Sequence, residues 1–161
     1  MHAEPGTADA PDAPRRILVV LALWGGVFFA LLVAGLGMTS LLLEADVIAV
    51  DGVGQAPGVV GVCAALAAWA GVTYPALRRR AGVGAAVLAG AAAGVAYVGG
   101  VVVTAIVTGT DPALAVSIAG RLVTDGFAVV VAVAGVLAAV GAVVAVRMRP
   151  GAARWPWEHD D

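Results

Sequence analysis

Apolar residues fall into four long blocks, at about 17–43, 57–77, 83–108 and 122–146, and the short segments between them hold nearly all the charge. A helix rising about 1.5 Å per residue needs roughly 20 apolar residues to cross about 30 Å of hydrocarbon, and each block is long enough. Lipid offers the backbone no hydrogen-bonding partner, so runs of this kind must satisfy their own N–H and C=O groups as helices. Four membrane-spanning helices are therefore predicted. The first is longer than the bilayer requires, which implies tilt or an overhanging end.

The punctuation supports these boundaries. Residues 1–15 hold Pro5, Pro11 and Pro14 among small and acidic residues and read as a disordered tail. Block one is too long for the roughly 7–15 apolar residues of a secretory signal and reads as an uncleaved span. The first loop carries Glu44, Asp46 and Asp51 with Gly52 and Gly54, and Pro57 suits the first turn of helix 2. Arg78, Arg79 and Arg80 end that helix. Gly109 closes helix 3, after which Asp111-Pro112 reads as an N-cap and an N1 proline.

Residues 113–119 are apolar but too short to span, so a half-buried turn or short helix is expected there, ending near Gly120 and leading into helix 4. Arg147, Arg149 and Pro150 stop helix 4. Residues 149–161 form a second tail, in which Trp155-Pro156-Trp157 reads either as an interfacial anchor or as an unordered end. The membrane domain is thus 16–148.

Charge sets the orientation. Arg15, Arg16, Arg78, Arg79, Arg80, Arg147, Arg149 and Arg154 bound the helices on one side, and Arg121 alone lies on the other. Positively charged flanks stay in the cytoplasm, so both termini and the middle loop are expected inside and the acidic loops outside. The fold class that follows is all-α: a polytopic membrane protein with four transmembrane helices in an up-down bundle, N-in and C-in. Each half is an in-out-in hairpin closed by arginines. Residue matches between the halves are sparse, and the shared charge rule accounts for the likeness better than a duplication does.

Composition agrees, with 61% hydrophobic residues, 12% charged residues and a mean hydropathy of +1.00. Those values lie far from the balance of a soluble domain. All nine basic residues are arginine and no basic run is long enough to suggest nucleic acid as a partner. The abundance of Ala, Gly and Val matches GC-rich codons and is discounted as a functional signal. Cys63 is the only cysteine, which excludes an intrachain disulfide or a CxxC pair, and its apolar neighbours predict burial.

On helix 3, Gly90, Gly94, Tyr97, Val101, Thr104 and Thr108 recur at spacings of 4, 3, 4, 3 and 4. At about 100° per residue they keep within an arc of about 80°, giving one face of small residues, a phenol and hydroxyls. Small residues let helix backbones approach closely, and hydroxyls can bond across such a contact. This face is read as a helix-packing face, chiefly within the chain, with an oligomer interface or the wall of a polar path as the functional alternatives. Arg121 and Asp125, four residues apart, are read as an ion pair at the membrane edge, one turn into helix 4. Solvation and the helix N-terminus explain them more simply than proton or cation coupling does.

Glu44, Asp46, Asp51 and Asp111 are oxygen donors but match no calcium-loop spacing. Trp24 and Trp69 lie at similar depth, about 12 Å inside the arginines, and are expected to meet across helices 1 and 2. The two histidines, His2 and His159, sit at the ends of the chain, and the two serines, Ser40 and Ser117, lie outside any GxSxG context. No HExxH, phosphate loop or dinucleotide fingerprint occurs. No catalytic, cofactor or metal residue is assigned, and no cofactor is expected.

The proline-rich tail, the four Ala/Gly/Val-rich spans and the segment Arg154-Trp155-Pro156-Trp157-Glu158 together resemble the small uncharacterised four-helix integral membrane proteins of actinobacteria. That resemblance implies a bacterial plasma-membrane location and carries over no site. The reading is a non-enzymatic protein of the lipid bilayer, acting as a homo-oligomer or as the accessory subunit of a membrane complex with another protein. The alternative is a small oligomeric transporter or channel lined by Tyr97, Thr104, Thr108 and Asp125.

Overall fold

The structure, a computed structural model, describes residues 12–43, 56–79 and 81–148. The acidic loop with Glu44, Asp46 and Asp51, together with Arg80, the tail before Asp12 and the Trp155-Pro156-Trp157 segment, lies outside the described residues. Five helices follow in order: α1 (Asp12–Leu43), α2 (Ala56–Arg78), α3 (Val83–Val107), α4 (Pro112–Thr124) and α5 (Phe127–Arg147). Four of them, α1, α2, α3 and α5, are long and apolar enough to cross a membrane. The all-α fold of four candidate spans packed together is the one the hydrophobic blocks predict.

Neighbours around the bundle run α1, α2, α3, α5 and back to α1, with the α1–α2 seam the loosest. Phe28, Trp69, Tyr97 and Val131, one from each of these helices, share the central core. The outward surface is apolar as well: Leu23, Phe29, Val95, Val103 and Leu137 are all exposed. Water would not tolerate such a surface on a monomer, whereas acyl chains do. Helix α1 is the most peripheral span, with 11% of its apolar window buried against 39% for α3 and α5.

Among the described residues, Arg121 lies at one end, and Arg15, Arg16, Arg78, Arg79 and Arg147 gather at the other. Leu77 of α2 and Ala142 and Val143 of α5 form a small core there with Ile17, Val20 and Leu21 of α1. Arg16 donates to the Met148 carbonyl at 3.0 Å, and Arg147 donates to the Ala81 carbonyl at 3.1 Å. These bonds satisfy two carbonyls at element ends that no helix would otherwise reach. They also tie the start of α1, the end of α5 and the α2–α3 turn into one patch.

Helix α1 starts earlier than the block at 17–43 suggests, at Asp12, so residues 12–15 of the expected disordered tail are helical. Pro14 is harmless in a first turn. Helix α3 ends as Gly109 predicts. Gly109 has φ 95°, its N–H bonds to the Ile106 carbonyl at 3.0 Å, and the Thr110 N–H bonds to the Ala105 carbonyl at 2.9 Å. Only a residue free of a Cβ adopts that left-handed turn cheaply. Asp111 then caps α4, its Oδ1 accepting from the Ala113 and Leu114 N–H groups at 2.8 and 3.3 Å.

The last boundary differs from the sequence reading. Helix α4 runs through Gly120 to Thr124, and the chain breaks at Gly126, φ 83°, so that α5 starts at Phe127 rather than near Leu122. Ala115, Ile118 and Leu122 explain why: at spacings of 3 and 4 they form the buried face of α4, which binds Leu122 to the short helix. Gly120 is exposed and tolerated inside the helix, while Gly126 supplies the turn.

Candidate functional site

Because Gly90 and Gly94 lack side chains, α3 can lie directly on the backbone of α5. A Cβ on Gly90 would overlap the Ala132 carbonyl and Val136, and one on Gly94 would stand 3.1 Å from the Ala128 carbonyl oxygen. Gly135 answers from α5: a Cβ there would lie 3.0 Å from the Gly90 Cα. The contact at Ala128 also fixes a register, since the first turn of α5 meets α3 near its midpoint. The second half of α3 is left to α4, whose Ile118 and Leu122 share the core with Tyr97 and Val101.

The other stripe residues point elsewhere. Tyr97 and Val101 are buried against α2, where a Cβ on Gly61 would stand 3.1 Å from Tyr97 Cδ2 and 2.8 Å from Val101 Cγ2. Gly100 approaches the same place, 3.0 Å from its would-be Cβ to the Gly61 Cα. Thr104 is half-buried. Thr108 is exposed, and its hydroxyl donates to the Thr104 and Ala105 carbonyls of its own helix at 2.9 and 3.0 Å. Among the described residues it therefore makes no cross-helix bond of the kind the stripe suggested. Four of the six positions divide between two seams, Gly90 and Gly94 on α5 and Tyr97 and Val101 on α2, while the two threonines join neither.

Trp69 crosses the centre of the bundle. Its indole N–H donates to the Gly135 carbonyl at 3.0 Å, a buried bond from α2 to α5. Its ring stacks on Phe28 of α1 at 5.5 Å between centroids and 30° between planes. The partner expected from depth, Trp24, instead covers Gly141 of α5. Four residues beyond Trp69, the Thr73 hydroxyl is buried without a hydrogen-bond partner. Besides the aromatic Trp69 and Tyr97, Thr73 is the one buried side chain with a polar group among the described residues.

Arg121 and Asp125 stand in the last turn of α4 and at its C-cap, not inside a spanning helix, and both are exposed. They form no ion pair with each other among the described residues; Asp125 Oδ1 accepts from Thr124 Oγ1 at 3.5 Å. A carboxylate at the negative end of α4 is poorly served by that helix, but it immediately precedes the positive end of α5, which offsets the cost. Cys63, expected to be buried, is exposed on the outer face of α2. No three His, Cys, Asp or Glu residues among those described lie close enough to hold a metal ion.

Sequence reasoning missed Gly61, Gly100 and Gly135, which receive the α2–α3 and α3–α5 contacts, and the Trp69 bond. Nothing in the sequence sets these glycines apart in a composition with 22 of them. No curated protein and no solved structure matches the chain. A family model does, over residues 12–161, and on that match the chain belongs to DUF6121, a family of unknown function.

Proposed function

We propose that this protein is a multi-pass protein of the bacterial plasma membrane, with both termini cytoplasmic, that works by packing against other membrane helices. It does so as a homo-oligomer or as an accessory subunit, without catalysing a reaction. The observation that carries this reading is the chemistry of the bundle interior. Among the described residues its buried side chains are apolar or small apart from Thr73, the Tyr97 phenol and the Trp69 indole N–H, and its charged side chains stand exposed at the two ends. Helix α1 supplies the surface for a partner: Gly26, Ala30, Ala34 and Gly37 are exposed on it, and no atom stands within 4 Å of a Cβ built on Gly26 or Gly37. Small outward residues of this kind suit close helix contact in lipid.

The orientation rests on the gathering of Arg15, Arg16, Arg78, Arg79 and Arg147 at one end. The competing reading, a small oligomeric transporter or channel, needs several copies around a shared polar path. It would be supported by substrate flux in proteoliposomes that Asp125→Ala abolishes. Gentle detergent extraction of a tagged copy from its native membrane, followed by mass determination, tests the leading reading. A homo-oligomer or a stoichiometric second protein is expected, and a bare monomer overturns it.

A further inference from the structure

The arginine end carries more positive charge than the fold uses. Arg16 and Arg147 are engaged with carbonyls, and the bonds they make bring the start of α1, the end of α5 and the turn after Arg79 together. Arg15, Arg78 and Arg79 are exposed beside them, and among the described residues none of these five guanidinium groups has a carboxylate partner. Like charges gathered at one edge of a low-dielectric slab repel one another unless an anion joins them. Arg78 is also held in place: its guanidinium lies over the Tyr74 ring, 5.8 Å from the centroid.

The same face of α2 continues into the bilayer. Counting back from Arg78, Tyr74, Gly71 and Ala67 recur at intervals of 4, 3 and 4 and so lie on one side of the helix, Gly71 and Ala67 exposed. Gly71 has no atom within 4 Å of a built Cβ, so the helix surface below Tyr74 is low and open to a chain lying along it. The face thus joins a fixed cation at the membrane edge to a smooth apolar strip that runs inward. An anionic phospholipid has the matching form, a phosphate at the surface with acyl chains beneath it.

We infer that the arginine end of α2 is a binding site for an anionic phospholipid, whose phosphate Arg78 and Arg79 hold and whose acyl chain lies on Gly71 and Ala67. Guanidinium suits this ligand because its fork of N–H donors matches phosphate oxygens. The site is independent of whether the protein assembles with a partner, since it uses α2 and not the outer face of α1.

The test is native mass spectrometry of the full chain, extracted in mild detergent and equilibrated with equal amounts of phosphatidylglycerol and phosphatidylcholine. The wild type is expected to retain phosphatidylglycerol about tenfold or more in preference. The Arg78→Gln/Arg79→Gln variant should lower that retention by roughly thirty-fold, while Arg121→Gln at the opposite end leaves it unchanged. These exposed substitutions leave the core intact, and an unchanged helical signal verifies it. Equal retention of the two lipids overturns the proposal, as does an undiminished preference in the double variant or an equal loss in Arg121→Gln. Displacement of the lipid by inorganic phosphate at matched ionic strength overturns it too, by identifying a site for free phosphate.

Discussion

Helices α3 and α1 both carry small residues at helical spacing, Gly90 and Gly94 on one and Gly26, Ala30, Ala34 and Gly37 on the other, yet their surroundings are opposite. The α3 glycines press on the Ala132 and Ala128 carbonyls of α5, with Gly135 returning the contact. Gly26 and Gly37 of α1 face open space. A stripe of small residues therefore does not define a contact by itself. What defines it is a second stripe opposite, and Gly135 and Gly61 supply that for α3 while nothing among the described residues supplies it for α1. The closed seam holds the bundle together, and the open one is free to receive another helix.

The sharpest way to break this comparison is Gly90→Leu. Its side chain has nowhere to go, because the Ala132 carbonyl and the Val136 backbone N stand there as well as the Val136 side chain. A loss of about 3 kcal/mol or more, the upper end for overpacking, is expected. It should be read as a lower melting temperature and reduced yield of folded protein. Gly26→Leu should not lower the melting temperature of the isolated protein, and its cost should appear only in the oligomer or partner content. Equal effects of the two substitutions would mean that the seams do not differ.

Trp69→Phe comes next. It keeps the ring that stacks on Phe28 but removes the indole donor to the Gly135 carbonyl. Hydrogen bonds between membrane helices average about 0.6 kcal/mol and reach about 1.7, so a loss of roughly 1 kcal/mol is expected in reversible unfolding. A change within error would mean that stacking and not the bond fixes α2 against α5. Thr73→Val tests the same region with the opposite sign. It replaces a buried hydroxyl that has no partner with a methyl of similar size, and a gain of up to about 1 kcal/mol is expected. A loss larger than that would reveal a partner for the hydroxyl.

The physics of the bilayer made the spans legible, because lipid leaves a long apolar run no alternative to a helix. Local chemistry made some ends legible too. Gly109 ends α3 with the paired bonds expected of a left-handed glycine, and Asp111 caps α4. The α4–α5 break was harder, since Leu122 and Val123 after Arg121 look like the start of the last apolar block, and only the Asp125-Gly126 turn signal and the periodicity of Ala115, Ile118 and Leu122 assign them to the short helix. Which glycines meet which could not be read at all. Gly61, Gly100 and Gly135 look no different in sequence from Gly71 or Gly99, and their difference is set by the register between helices, which is non-local information. Trp69 is the same case: its depth was evident, but its partner, a backbone carbonyl on α5, leaves no mark in the side-chain sequence.

The smallest expected effect is also the most exacting for the comparison. Gly26→Ala adds one methyl to an exposed position of α1 where no atom stands within 4 Å of it. Alanine restricts the unfolded chain and favours the helix, so a stabilisation of about 0.5–1 kcal/mol is expected, a rise of a few degrees in the melting temperature of the isolated protein. The same substitution at Gly94, 3.1 Å from the Ala128 carbonyl, should lower it, because that backbone cannot give way without parting α3 from α5. The signs, not the sizes, carry the argument. If Gly26→Ala destabilised the purified monomer, a neighbour would have to stand against α1 within the single chain, and the outer face of α1 would no longer be free for a partner. If it stabilised the monomer but weakened the assembly taken from native membranes, the methyl would be meeting a helix from another molecule.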